Sequence, residues 1–132
     1  MKKLILLLSL VILTSCSSSH DDDSNANTKN AYFNPPAWII GTWKSDIGTT
    51  FIFTKDNMSY QINGGITTSL NDQANMVKNS GGKVSVTEDK TESDYTVNYK
   101  LTVDGTITYS FKKSSNSQII STGMFNGTYT KQ

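Results

Sequence analysis

Apolar and polar side chains alternate one by one along most of the chain. In the run Tyr95-Thr96-Val97-Asn98-Tyr99-Lys100-Leu101-Thr102-Val103 the odd positions are Tyr, Val, Tyr, Leu and Val, and the even ones are Thr, Asn, Lys and Thr. A period of two describes a strand with one dry and one wet face. Asp104-Gly105 breaks the run, and this pair favours the positive φ values of a tight hairpin turn. The return strand is 106–112, with Ile107, Tyr109 and Phe111 on one face. Ser114-Ser115-Asn116 marks the next turn, and 118–122 and 125–131 form a last pair of strands.

The same period appears upstream. Residues 40–44 read as a first strand and 49–54 as a second, with Phe51 and Phe53 on one face. Lys55-Asp56-Asn57 is a turn, and Met58, Tyr60 and Ile62 form the alternating face of a third strand. Residues 83–88, with Val84 and Val86, form another. Seven or eight strands joined mainly by short turns predict an all-β antiparallel meander that closes into a barrel or packs as a sandwich. One segment departs from the pattern. Leu70, Ala74 and Val77 recur at helical spacing, Ser69 and Asp72 are placed as in a capping box, and Gly81-Gly82 ends the run. A short helix over 70–79 is expected, as a plug or lid on an open end; the alternative is a loop that simply spans a longer crossover.

The first residues carry a different signal. Lys2 and Lys3 precede an apolar run, 4–13, broken only by Ser9. As a helix it is about 15 Å long, half the ~30 Å needed to cross a hydrocarbon core. The pattern fits a secretory signal peptide over 1–15, set aside in reasoning about the fold. Residues 16–31 are rich in Ser, Asn and Asp, and their only apolar side chains besides Cys16 are Ala26 and Ala31. Such a stretch buries too little surface to fold and reads as a flexible tether. Residues 32–132 then form one domain, introduced by Pro35-Pro36.

Leu13-Thr14-Ser15-Cys16 resembles the lipobox of bacterial lipoproteins, in which the Cys is lipidated and becomes the first residue. The resemblance implies a membrane-lipid anchor of long acyl chains, palmitate-like, on Cys16. Each buried CH₂ of such chains contributes about 0.8 kcal/mol. The following Ser17-Ser18-Ser19-His20-Asp21-Asp22-Asp23 resembles the Ser-plus-acidic signal of surface lipoproteins of Bacteroidota. It implies an outer-membrane, cell-surface location; as plain chemistry the same residues make a solvated linker. Gly41-Thr42-Trp43 matches the Gly-x-Trp signature at the first strand of lipocalins and other calycins. With Phe51-Ile52-Phe53-Thr54 it makes the chain similar to small lipocalin-like lipoproteins of that phylum. The resemblance implies a lipocalin-like β-barrel, with Gly41 and Trp43 as structural residues at its closed end. Lipocalins often lay a late Arg over this Trp; this chain has no Arg, and Lys131 is the basic residue placed to cover the ring.

Charge and composition narrow the chemistry. The formal net charge is +1 and all twelve basic residues are Lys. That excludes a nucleic-acid binder driven by phosphate neutralisation. One Cys and one His exclude a disulfide framework, a Cys-rich zinc site and a multi-His metal centre. Nucleophilic triads are out, because His20 lies in the tether and Cys16 at its start. The acidic stretch Glu88-Asp89-Lys90-Thr91-Glu92-Ser93-Asp94 reads as a solvated turn rather than a catalytic carboxylate pair or a Ca²⁺ loop. No enzyme, metal or cofactor is expected. The remaining candidates are the aromatics on inward faces, Tyr60, Tyr95, Tyr99, Tyr109 and Phe111. In a barrel of about eight strands they either line a site for one small apolar or glycan-like ligand or simply fill the core. The expected function is a non-catalytic binding module for such a ligand; the alternative is an interaction, accessory or inhibitor lipoprotein with a filled core that works through its outer surface.

Overall fold

The computed structural model describes residues 30–101 and 105–132. The expected signal segment 1–15, Cys16, most of the tether and Asp104 of the expected turn lie outside the described residues. Nine strands are present: β1 (Gly41–Ser45), β2 (Thr49–Thr54), β3 (Asn57–Ile62), β4 (Thr68–Ser69), β5 (Val84–Lys90), β6 (Asp94–Leu101), β7 (Ile107–Lys113), β8 (Gln118–Ser121) and β9 (Gly127–Lys131). They form one sheet in the order β4-β3-β2-β1-β9-β8-β7-β6-β5, and every neighbouring pair is antiparallel. The count is therefore nine rather than seven or eight. The added strand is β4, which pairs Ser69 with Ser59 and Thr68 with Tyr60. Two residues cannot display a period of two, so the alternation could not reveal it.

The sheet is curled. The Phe51 ring on β2 lies 4.9 Å from Phe111 on β7, and Phe53 lies 6.3 Å from Tyr95 on β6. These strands are several places apart in the sheet, so their inner faces meet across an aromatic core. The first and last strands of the chain close on each other, with Trp43 opposite Lys131 and Ser45 opposite Tyr129. Among the described residues the two edge strands, β4 and β5, are not hydrogen-bonded to each other. The sheet is thus a curled half-barrel with a seam between them.

Helix α1 (Leu70–Asn79) and the chain before β1 occupy that seam. The Ser69 hydroxyl accepts from Asp72 N at 3.1 Å and starts the helix, and Leu70 and Ala74 are its buried apolar residues. Gly81, at φ 81°, turns the chain out of it, with Gly82 N donating to Val77 O at 2.9 Å. The helix lies against β3, β4 and β5, bridging the sheet's edges where an end lid was one expectation. Residues 30–34 run beside it. Asn75 accepts from Asn30 N at 2.8 Å and donates to Asn30 O at 2.9 Å. Asn71 Oδ1 accepts from Tyr32 N at 2.9 Å. On the other side, Glu88 accepts from Asn34 N at 2.8 Å and Lys90 Nζ donates to Asn34 O at 2.7 Å. A seam without a backbone ladder still needs its polar groups satisfied. Here side chains supply the partners.

The antiparallel order sorts the connections into two ends. Turns 46–48, 63–67 and 122–126, the last turn of α1 and the start of β5 gather at one end, the loop end. Turns 55–56, 91–93 and 114–117 and the short 3₁₀ turn Ala37–Ile39 gather at the other, the closed end. At the closed end Trp43 is fully buried and its Nε1 donates to Ile39 O at 2.6 Å. The expected covering cation is in place: Lys131 Nζ lies 5.1 Å from the Trp43 ring centre. At the loop end the alternation overruns the core. Ile62 and Ile107 fall on the expected dry faces yet are 49% and 40% exposed, because their strands extend past the last ring of the interior.

Candidate functional site

The candidate aromatics divide between the two ends. Tyr95 and Phe111 sit deep, facing Phe53, with Phe111 at 5.1 Å from that ring. Tyr95 is fully buried, and its hydroxyl donates to Glu88 Oε1 in a short hydrogen bond. Burial pushes the Tyr95 phenol up, and the hydrogen bond to Glu88 and that carboxylate's charge push it further. The same carboxylate holds the backbone of Asn34 and lies 3.9 Å from Lys90 Nζ. One carboxylate therefore ties an interior phenol to the seam.

Tyr99 and Tyr109 lie toward the loop end, buried, with Tyr60 half-buried beside them. Tyr99 Oη donates to Leu70 O at 3.2 Å, fastening the first residue of α1 to β6. Burial, with smaller contributions from Tyr60 and Tyr32, pushes the Tyr99 phenol up to about 12. Burial also raises Tyr109, with Tyr60 and Tyr99 adding to the shift.

Two aromatics not singled out by alternation complete the interior. Phe125, at φ 59° in turn 122–126, folds inward to 5.0 Å from Tyr60 and 6.0 Å from Phe51. Tyr129 is fully buried, lies 5.0 Å from Phe51, and donates from its hydroxyl to Phe125 O at 2.8 Å. Phe51 thus meets Phe53, Tyr109, Phe111, Phe125 and Tyr129. At centroid separations of 4.9–6.3 Å rings are in contact. Of the five expected ligand-wall residues, Tyr109 and Phe111 meet Phe51, Tyr95 meets Phe53 and Phe111, Tyr99 meets Phe33 and Tyr60 meets Phe125.

An open cleft lies outside this core. It encloses about 560 Å³ and is lined by Lys78 of α1, Lys83, Val84 and Ser85 at the start of β5, and Lys100 of β6. Three elements bring three ammonium groups to one hollow, and among the described residues no carboxylate lines it. Its volume lies within the range of small-molecule sites. Alternation could not reveal it, because its lysines come from three segments that meet only in the folded sheet. The buried Asn75 was equally hidden, although Asn71 and Asn75 stand four apart on the helix and so share a face. Among the described residues no group of three His, Cys, Asp or Glu side chains is placed to hold a metal ion, and no helix is long and apolar enough to cross a membrane.

Comparison with known families, with curated proteins and with solved structures finds no match for this chain.

Proposed function

We propose that the chain is an outer-membrane lipoprotein, held at the cell surface by acyl chains on Cys16, whose lipocalin-like domain is a non-catalytic module working through its outer surface. Of the two roles open to its aromatics, the geometry favours core filling over a ligand wall. The carrying observation is the ring packing: Tyr95, Tyr99, Tyr109 and Phe111 are at most 2% exposed, and Phe51 sits among five other rings. The lipocalin-like reading draws support from the Gly41-Thr42-Trp43 signature and from the basic side chain over Trp43. Full barrel closure across the seam, by α1 and residues 30–34 in place of a ladder, belongs to this reading. An accessory or inhibitory partner protein is the expected counterpart.

A second reading has its own observation. The lysine-lined cleft suits a small anionic ligand, an acidic glycan among them. Native mass spectrometry of the protein taken from its own membrane separates the two. The surface reading expects the mass of the chain plus acyl groups and nothing else within the fold. A retained small molecule that Tyr109→Trp expels would sink the filled core. One that Lys83→Gln and Lys100→Gln expel would move the function to the cleft.

A further inference from the structure

We infer that the loop end of the sheet is a membrane-docking face, which lies on the anionic headgroup surface of the bilayer that holds the anchor. Seven large apolar side chains are strongly exposed among the described residues. Five of them gather at the loop end: Ile47 and Ile66, at 66% and 92% exposed, Ile62, Ile107 and Met124. They come from turns and strand ends, and backbone hydrogen bonds join them in two groups. Asn63 N donates to Gly48 O at 2.8 Å, joining the turns of Ile47 and Ile62. Met124 N donates to Thr108 O at 2.9 Å, placing Met124 beside Ile107.

Charge selects the occupant. Lys78, Lys83 and Lys100 open onto the same end through their cleft. Among the described carboxylates Asp46 lies in the loop-end turns and Asp72 in the first turn of α1; Asp56, Glu88, Asp89, Glu92 and Asp94 lie toward the closed end, where Lys55, Lys90, Lys112, Lys113 and Lys131 accompany them. An apolar rim beside a hollow lined by three lysines and no described carboxylate suits an interface where isoleucines enter the acyl boundary and ammonium groups meet phosphates. The chain's path agrees. From Asn30 beside Asn75 to Asn34 beside Glu88 and Lys90, the segment runs from the loop end toward the closed end. It therefore enters from the side on which the rim lies. The inference rests on the anchored reading in one respect: a short tether holds the domain at an effective concentration in the millimolar range, so a weak contact suffices.

The test is hydrogen exchange on the full chain, reconstituted in lipid discs of phosphatidylcholine alone or with phosphatidylglycerol, and in detergent. Slowed exchange in turns 46–48, 63–67 and 122–126 is expected only in the anionic discs, with turns 55–56, 91–93 and 114–117 unchanged. Ile47→Asp with Ile66→Asp abolishes it. Each of Lys78→Gln, Lys83→Gln and Lys100→Gln lowers the docked-to-free ratio about fivefold. Equal exchange in all three media, or protection at the closed end, overturns the inference. Protection that persists in detergent assigns the rim to a second copy of the chain and overturns it too. Intact mass reports the anchor separately. If the chain carries no acyl groups, the same exchange is read with vesicles of the two compositions, and docking stands or falls on the loops alone.

Discussion

Lys131 lies over Trp43 because position 41 has no side chain. The ammonium is 5.1 Å from the ring centre, and a Cβ on Gly41 would come within 3.0 Å of Lys131 Cε. Gly41 also sits at φ 131°, where other residues are strained. The two demands of the Gly-x-Trp segment are therefore one arrangement: the glycine leaves room for the cation that covers the tryptophan. Gly41→Ala is expected to lower stability by about 1–3 kcal/mol, and Lys131→Met by about 0.5–1 kcal/mol. Urea unfolding of both and of the double variant gives the coupling. Strict additivity would mean that the glycine acts through backbone strain alone.

The seam yields a second prediction. Asn75 is 4% exposed and is bonded to both backbone groups of Asn30 and to Asn71 O. Asn75→Ala leaves those groups without their partners and is expected to cost about 1–2 kcal/mol. Amide exchange at Asn30 and Tyr32 should quicken ahead of exchange in β6 and β7. Unchanged protection at Asn30 would show that the segment is held by Phe33, whose ring packs 5.7 Å from Tyr99, rather than by the asparagines.

A third concerns alkaline pH. Burial raises the phenols of Tyr95, Tyr99, Tyr109 and Tyr129 above the ordinary value of 10. Above pH 10 the folded chain then holds more protons than the unfolded one, and stability falls as pH rises. The stabilising contribution of Tyr99 is intact below pH 10 and lost as pH climbs through about 12. Tyrosinate absorbance should appear late and together with loss of the fold, while Tyr99→Phe softens the fall. A titration in which all six tyrosines ionise near pH 10 in the folded protein would contradict the filled core.

Turn 122–126 supplies a fourth. A Cβ at Gly123 would stand 2.4 Å from Thr108 O and 2.9 Å from Ser110 N. Both are backbone atoms of β7, so neither yields cheaply. Gly123→Ala is expected to cost about 2 kcal/mol or more and to lift Phe125 from Tyr60. Gly64→Ala, with nothing within 4 Å of its Cβ, meets only the backbone cost of about 1 kcal/mol. Thermal unfolding of the pair reads the difference.

The anchor is tested by mass. Cys16→Ala should remove the added acyl mass expected on the native protein, and labelling with an alkynyl fatty acid should vanish with it. Labelling that survives the substitution would place the acyl group elsewhere and remove the basis for the membrane assignment.

Local chemistry was legible in the sequence by itself. The single alternation of 95–101 forecast β6, Ser69 with Asp72 started the helix at Leu70, and Gly41-Thr42-Trp43 marked the first strand and its covering Lys131. These features are short-range: a strand's two faces, a helix cap and a tight approach are written within a few residues. Only the tertiary structure decided the rest. β4 is two residues long and exists because β3 offers it an edge. Ile62 and Ile107 look like core residues in the pattern and lie beyond it in space. Tyr109 meets Phe51 and Tyr99 meets Phe33, rings that arrive from distant segments. Periodicity states which way a side chain points, but the volume that remains at the centre depends on how far the sheet curls and on what meets there.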